Sequence, residues 1–315
     1  MERNLGPELL APDDSGVARA AALLGEGRLV AVPTETVYGL MARADRDESV
    51  AAIYRAKGRP SFNPLIVHVA DLAAAQALAV LDARALALAE VFWPGALTLV
   101  LPLRAGAAVA PAVTAGLPTV ALRCPAHPLM RAVIAASGLA LAGPSANRSG
   151  GVSPTRAEHV VASLGGNLDA VIDGGPCEAG LESTIVALRE DGRWQILRPG
   201  PIPQEAIRAV LGTDCDAVIS QAIEAPGQLA SHYAPGKPVR LEAASAEADE
   251  FHIGFGPIAG DASLSASGDL VEAASRLYAL LHEGAAASQP KIAVAPIPGE
   301  GVGAAINDRL KRAAA

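Results

Sequence analysis

Residues 64–70 read PLIVHVA, an almost wholly apolar run interrupted only by His68. The run is strand-sized and lacks the polar–apolar alternation of a strand with one wet face. It therefore predicts a strand covered on both faces, as in α/β proteins. Similar stretches recur as "LVAV" (29–32), "ALTLVLPL" (96–103), "TVALRCP" (119–125) and "LALAGPSAN" (139–147). Helical patterns lie between them: "SGVARAAALLGEGR" (15–28), with a serine start and a glycine stop, "DESVAAIYRAKGR" (47–59), and a helix or helix pair over 71–92. A helix from about Arg156, a strand at "AVIDGG", a hairpin-like pair over 183–200 and a closing helix "PQEAIRAVLG" follow. The fold class predicted is α/β: a twisted mixed sheet with flanking helices.

The texture changes near residue 213. Residues 213–237 are irregular and proline-bearing and read as a linker, separating a first domain (1–212) from a second (238–315). In the second domain, "VRLEAA", "FHIGFG", "GDLVEAASRLYALLHEG" and "KIAVAPIP" predict a small Rossmann-like βαβ unit. A chain of 315 residues, 51% hydrophobic, has enough apolar material for two cores.

The formal net charge of −8 argues against a broad nucleic-acid or anionic-membrane surface. Three cysteines without a C-x-x-C pair suit a reducing cytosol, and the start "MERNLGPELL" lacks a signal-peptide pattern. The uncharged stretch 105–122 is broken by Gly106, Pro111, Gly116 and Pro118, so it predicts strands and turns rather than a membrane span. A cytoplasmic protein is expected.

Against this acidic background "YRAKGRP" concentrates Arg55, Lys57 and Arg59 around Gly58 and Pro60. Lys57 is the sole lysine before Lys237, in a chain with 21 arginines. The turn admits two readings: a solvated helix C-terminus whose cations offset the helix dipole, or a shaped loop aimed at an anion. "LAGPSANRSGGVSPT" (141–155) supplies Ser145, Asn147 and Ser153 on a glycine-rich turn. That is either anion-cradle material or a polar loop capping a helix at Ser153 or Thr155. "PTETVYGL" offers Thr34, Glu35, Thr36 and Tyr38 at a strand end, where Thr34 and Thr36 also read as turn caps. Arg123 stands just past a strand and Ser183 and Thr184 open another, while His68, inside an apolar strand, reads on its own as a hydrogen-bonded core histidine rather than a ligand. No H-E-x-x-H, cysteine cluster, Walker loop or G-x-S-x-G elbow occurs, so no protein-held metal or covalent nucleophile is expected. "GFGPIAG" is not a dinucleotide fingerprint.

Taken together, "VPTETVYGL", "YRAKGRPSFNPLIVHV", "FWPGALTLVL", "PTVALRCPAHP", "AGPSANRSGGVSPT", "VIDGG", "GLESTIV" and "LRPG" resemble the YrdC-like family, and the linker "APGQLASHYAP" with the small domain resembles its two-domain form. The resemblance runs from about residue 15 to the end. It implies a sheet around a deep, positively lined cavity and a nucleotidyltransferase joining L-threonine, bicarbonate and ATP into threonylcarbamoyl-adenylate. Pyrophosphate is released, and other proteins pass the product to tRNA. It assigns Lys57 and Arg59 the catalytic role, and Lys57, Arg59, Asn63, Thr119, Ser145, Asn147, Ser153 and Arg198 to ATP, with His232 and Tyr233 of the linker closing over the site (213–237). Thr36, His68, Arg123 and Ser183 fall to threonine. Mg²⁺ would arrive on the nucleotide phosphates. Two departures stand out: Gln228, Leu229, Ala230 and Ser231 replace the basic and aromatic residues usual before "HYAP", and the second domain is short. A tRNA or double-stranded RNA binding module, and a carbamoyl-transfer domain with another substrate, are the alternatives. Acidity and an aromatic content of 3% count against the first, and the threonine set with the linker against the second.

Overall fold

The computed structural model describes residues 6–215, 224–228 and 232–315. Leu229, Ala230 and Ser231, where the linker departs from the family pattern, lie outside the described residues.

The apolar runs are assembled into one ten-stranded sheet. Across it the strands lie in the order Glu8–Leu10, Ala170–Ile172, Val30–Val32, Gly39–Arg43, Leu141–Ala142, Ile66–His68, Thr119–Arg123, Leu97–Pro102, Thr184–Leu188 and Trp194–Arg198. Parallel and antiparallel neighbours are interspersed, so the sheet is mixed. The edge strand Glu8–Leu10, which carries no period of its own, is held by its parallel pairing with Ala170–Ile172. Residues 71–92 form a helix pair, Leu72–Leu78 and Ala83–Phe92, each started by an aspartate cap, Asp71 and Asp82. The first helix, Asp14–Gly25, is capped by Asp13 rather than by Ser15.

Side-chain alternation divides the sheet into two faces with different fates. On one face Val67, Val120, Leu122, Leu99 and Val186 join the main core beneath the helices. On the other, helices Asp14–Gly25 and Pro128–Ser137 cover only the half that carries Val30, Val32, Met41 and Leu141. The remaining half presents Ile66, Ala121, Val100, Ile185 and Ala187, and the cover there is the linker, whose Ala225 is fully buried on that patch. The expectation that apolar strands are covered on both faces holds, but an irregular segment covers part of the second face. The uncovered ends of these strands leave room for a chamber.

The second domain is a four-stranded, all-parallel sheet in the order Val239–Arg240, Lys291–Val294, Glu250–Gly254 and Ala262–Ser263. Helices Leu270–Ala286 and Gly303–Ala313 accompany it. Its apolar core extends to Val37, Val152 and Leu181 of the first domain and to Tyr233 of the linker. Among the described residues, no helix is long and apolar enough to cross a membrane.

Candidate active site

The chamber lies on the linker-covered face, at the ends of the central strands. Register places its most polar pair: His68 and Arg123 are Cα partners on the parallel strands Ile66–His68 and Thr119–Arg123. The same register carries Thr119 to the level of Pro64. Thr119 thus sits about 13 Å along the strand from Arg123, at about 3.3 Å per residue. It is half-buried and does not line the chamber.

Arg123 is 3% exposed and used on three sides. Its Nε donates to Gly95 O (3.1 Å), its Nη1 donates to Thr36 Oγ1 (2.8 Å), and its Nη2 lies 2.7 Å from Glu35 Oε1. Burial opposes the charge on Glu35, yet the Arg123 guanidinium wins and holds its carboxyl below the usual range. Thr34 Oγ1 accepts from the amides of Thr36 and Val37 and closes the turn, freeing Thr36 to meet Arg123. His68 Nδ1 faces Leu141 O at 3.4 Å, and burial, with Arg123 beside it, pushes the imidazole down to about 3. It is neutral at physiological pH.

The other end is cationic. Helix Asp47–Lys57 stops at Gly58, whose left-handed φ of 60° turns the chain so that Arg59 points inward. Arg59 Nε donates to Asn63 O (3.1 Å) and its Nη2 to Pro64 O (2.8 Å). Burial lowers the Arg59 guanidinium to about 10, with Arg198 contributing repulsion, so it stays charged at neutral pH. Arg198, 4% exposed, grips Ser183 through Nε and Nη2 to the carbonyl (3.1 and 3.0 Å) and Nη2 to the hydroxyl (3.1 Å). Asn63 is 1% exposed, yet neither end of its amide has a hydrogen-bond partner. A buried amide left unpaired costs a few kcal/mol, which marks this position as one that waits for a partner.

Lys57 departs from the simple reading of a cation facing an anion. It is 4% exposed, and its ammonium donates to Ser145 O (2.6 Å) and to Asn147 O. It thus ties the helix end to the "GPSAN" turn from behind. Burial, reinforced by Arg59, pulls its pKa well below the usual lysine value. The solvated-helix-end reading of this turn therefore fails. Asn147 Nδ2 donates to Arg148 O and Gly151 O, while its Oδ1 stays unpartnered. Ser153 and Thr155 do not cap a helix: the next one, Ala157–Leu164, starts after Arg156 without a side-chain cap. Instead, Ser153 Oγ donates to Glu182 Oε1 (2.5 Å).

Of the residues expected from sequence, Thr36, His68, Arg123 and Ser183 line one part of the chamber and Arg59, Ser145 and Arg198 continue it, with Arg198 bonded to Ser183 where the two sets meet. His232 and Tyr233 close it from the linker side. Lys57, Asn63 and Ser153 stand one bond behind this lining, Asn147 one step further behind Lys57, and Thr119 lies farther off. Closure is tight. The chamber leaves about 40 Å³ for the centres of water-sized spheres, room for a few waters only. Gly227 has φ of 85°, and a Cβ there would meet Arg198 Cδ at 2.8 Å, so glycine is what lets the linker lie this close. Any ligand larger than a few waters requires the linker to move.

Glu182 and Arg309 are charged residues at the chamber that were not anticipated from sequence. Glu182 lines it and is held ionised, at about 2: burial works against the charge, but Arg309, then Arg198, outweigh it. Its signal was an acid inside the otherwise uncharged "GLESTIV". Arg309 comes from the last helix and gave no local signal. Among the described residues, no group of three or more His, Cys, Asp or Glu is arranged to hold a metal.

Comparison with known proteins agrees with this architecture. Residues 22–200 match the Sua5/YciO/YrdC family model, described as telomere recombination, and residues 202–315 match that of the threonylcarbamoyl-AMP synthase C-terminal domain. The chain is 49% identical over 237 residues to the threonylcarbamoyl-AMP synthase of Bacillus subtilis, an alignment covering 74% of this chain and 68% of the relative. It superposes on the crystal structure of Pyrococcus abyssi Sua5 complexed with L-threonine with a TM-score of 0.88 at 34% identity, over 98% of this chain and 97% of that one. Escherichia coli YciO shares the fold of the first domain, with a TM-score of 0.52 at 19% identity over 61% of this chain and 94% of that one.

Proposed function

This chain belongs to the Sua5/YciO/YrdC family, and from that membership and the chamber's geometry we infer that it synthesises L-threonylcarbamoyl-adenylate from L-threonine, bicarbonate or CO₂ and ATP. The observation that carries the reading is the convergence of Arg59, Arg198 and Arg123 on one closed chamber in a chain of net charge −8. Cations gathered against the chain's overall charge suit polyanion binding.

In this reading the two ends divide the work. Thr36, His68, Arg123 and Ser183 hold threonine, its carboxylate on Arg123. Arg59, Ser145 and Arg198 face the nucleotide phosphates, Lys57 and Asn147 shape the turn that carries Ser145, Asn63 and Ser153 support the lining from behind, and His232 and Tyr233 fold over it, while Thr119 stands outside this closed lining. Mg²⁺ enters with ATP, held by phosphate oxygens and water.

Threonine's amine takes up CO₂ to form a carbamate. A carbamate oxygen attacks the α-phosphorus, the bond to the β-phosphate oxygen breaks, and pyrophosphate leaves. No side-chain nucleophile is needed. The rate comes from alignment and from cations stabilising the transferring group. Of these, Arg59 faces the phosphates from the lining, and Lys57 contributes from behind it by holding the turn that carries Ser145. A closed chamber shields carbamate and mixed anhydride from water. The enzyme is therefore a cytoplasmic nucleotidyltransferase whose product serves proteins that modify tRNA.

The test is pyrophosphate release from ATP with threonine and bicarbonate supplied or withheld. We expect release only when all three are present, with threonylcarbamoyl-adenylate identified by mass spectrometry. Release indifferent to threonine would reject the reading.

A further inference from the structure

Glu182, 5% exposed, is a carboxylate in the wall of a chamber whose other charged lining residues, Arg59, Arg123 and Arg198, are cations. An unneutralised charge there would repel a triphosphate through a medium that screens poorly. Of the two cations beside it, Arg198 belongs to the chamber wall, and the one that pairs with it directly comes from the other domain. Arg309, 0% exposed on helix Gly303–Ala313, donates from Nε to Glu182 Oε2 at 2.9 Å. Tyr278 of helix Leu270–Ala286 donates to the same oxygen at 2.8 Å.

Arg309 makes three further contacts. Its Nη2 donates to Pro199 O (2.8 Å), its Nη1 pairs with Asp308 (2.6 Å), and its guanidinium lies 5.2 Å from the ring centre of Tyr233, the residue that closes the chamber. Through Glu182 it also reaches Ser153, whose hydroxyl sits on Oε1 and whose carbonyl faces His282 Nε2 (3.2 Å) of the second domain.

We propose that Arg309 is a positioning residue for the nucleotide: from the second domain it cancels the Glu182 charge inside the chamber, so that a polyanion is accepted and Ser153 and Tyr233 are held ready for it. This rests on the reading of the chamber as an ATP site. It gives the small domain an electrostatic part in the chemistry of the large one. As an ion pair, Arg309 and Glu182 are mutually dependent: a carboxylate stripped of its partner is worse than no carboxylate.

That asymmetry supplies the test. ATP and threonine dissociation constants are measured by calorimetry on the full chain and on Arg309→Met, Glu182→Gln/Arg309→Met and Arg309→Lys variants. Arg309→Met is expected to weaken ATP binding about tenfold or more, with a smaller effect on threonine. Adding Glu182→Gln to it should restore ATP binding to within about threefold of the parent, which loss of packing alone would not do. Arg309→Lys keeps the charge, loses the fork, and should also stay within about threefold. Unchanged ATP binding in Arg309→Met, or a double variant no better than the single, would overturn the proposal. Should Arg309→Met fail to fold, Arg309→Lys decides: tenfold or greater loss of ATP there places the role in shape rather than charge and rejects it. A parent chain that binds no ATP would defeat the functional reading and this inference together, whereas tight ATP binding without the rescue defeats this inference alone.

Discussion

Arg123 Nη2 and Glu35 Oε1 stand 2.7 Å apart beside the chamber, a buried ion pair that fixes the guanidinium. With Nε committed to Gly95 and Nη1 to Thr36 as well, Arg123 is held on three sides, and its remaining N–H donors are what an incoming carboxylate would meet.

From this arrangement stability and activity should separate. Arg123→Met leaves the Glu35 carboxylate buried and uncompensated, which should cost about 3–5 kcal/mol of unfolding free energy. Adding Glu35→Gln should recover most of that in a urea titration. Threonine-dependent pyrophosphate release should stay lost in both variants, because the carboxylate's partner is gone. Activity returning with stability would remove Arg123 from threonine binding.

Lys57 should be sensitive in a different way. Its ammonium bridges two carbonyls of the "GPSAN" turn, so Lys57→Met leaves Ser145 O and Asn147 O short of a donor. We expect kcat to fall about a hundredfold, equivalent to ~2.7 kcal/mol of barrier, together with about 1–3 kcal/mol of stability. Lys57→Arg should not rescue it, since a planar guanidinium does not replace a compact ammonium between two carbonyls. Near-wild-type kcat in either variant would refute this.

How much of this was legible depended on the distance over which each signal acts. The central strands could be read because continuous apolar runs are local, and the cationic turn because Lys57 stands alone over more than 200 residues. Glu8–Leu10 could not, because three residues carry no period and pair only with Ala170–Ile172. His68 and Arg123 were each visible at a strand end, but their adjacency is a matter of register, which no local pattern states. The larger omission was Arg309. In "INDRLKRAAA" it reads as one more charge on an exposed helix face, and only its packing against Glu182, 127 residues earlier, makes it a buried residue. Lys57 shows the converse: its singularity was plain, but the direction in which its ammonium points was not.

The closed linker yields a prediction by restraint. Ala234 N donates to Gly150 O at 2.8 Å, and Ala234 pairs with Gly151 as an isolated bridge. Since the chamber holds only about 40 Å³ in this state, far below the several hundred a nucleotide needs, the linker is expected to move during turnover and this contact to open with it. A Gly151→Cys/Ala234→Cys chain, in a Cys215→Ser background, should lose pyrophosphate release on oxidation and regain it with dithiothreitol. Full activity of the oxidised, crosslinked chain would show that ATP enters without the linker moving there.

A pH prediction comes from the seam between the domains. His159 of the first domain and His282 of the second stack with ring centres 4.0 Å apart and planes 23° from parallel. Burial first, then the charge of His282 and of Arg156, lowers His159 to about 4, and burial lowers His282 as well. Both are neutral when packed, and both take up protons more readily once unpacked, near the free value of 6.5. Their contribution to stability is therefore complete above about pH 6.5 and declines as the pH falls toward about 4. Glu182, held at about 2, loses its contribution only below the ordinary glutamate value of 4.5, outside most of that window. Melting temperature measured from pH 7.5 to 4.5 should fall in the parent and fall less steeply in His159→Phe, which keeps a stacking ring but cannot be protonated. Parallel curves for the two chains would show that this histidine pair does not set the acid sensitivity of the seam.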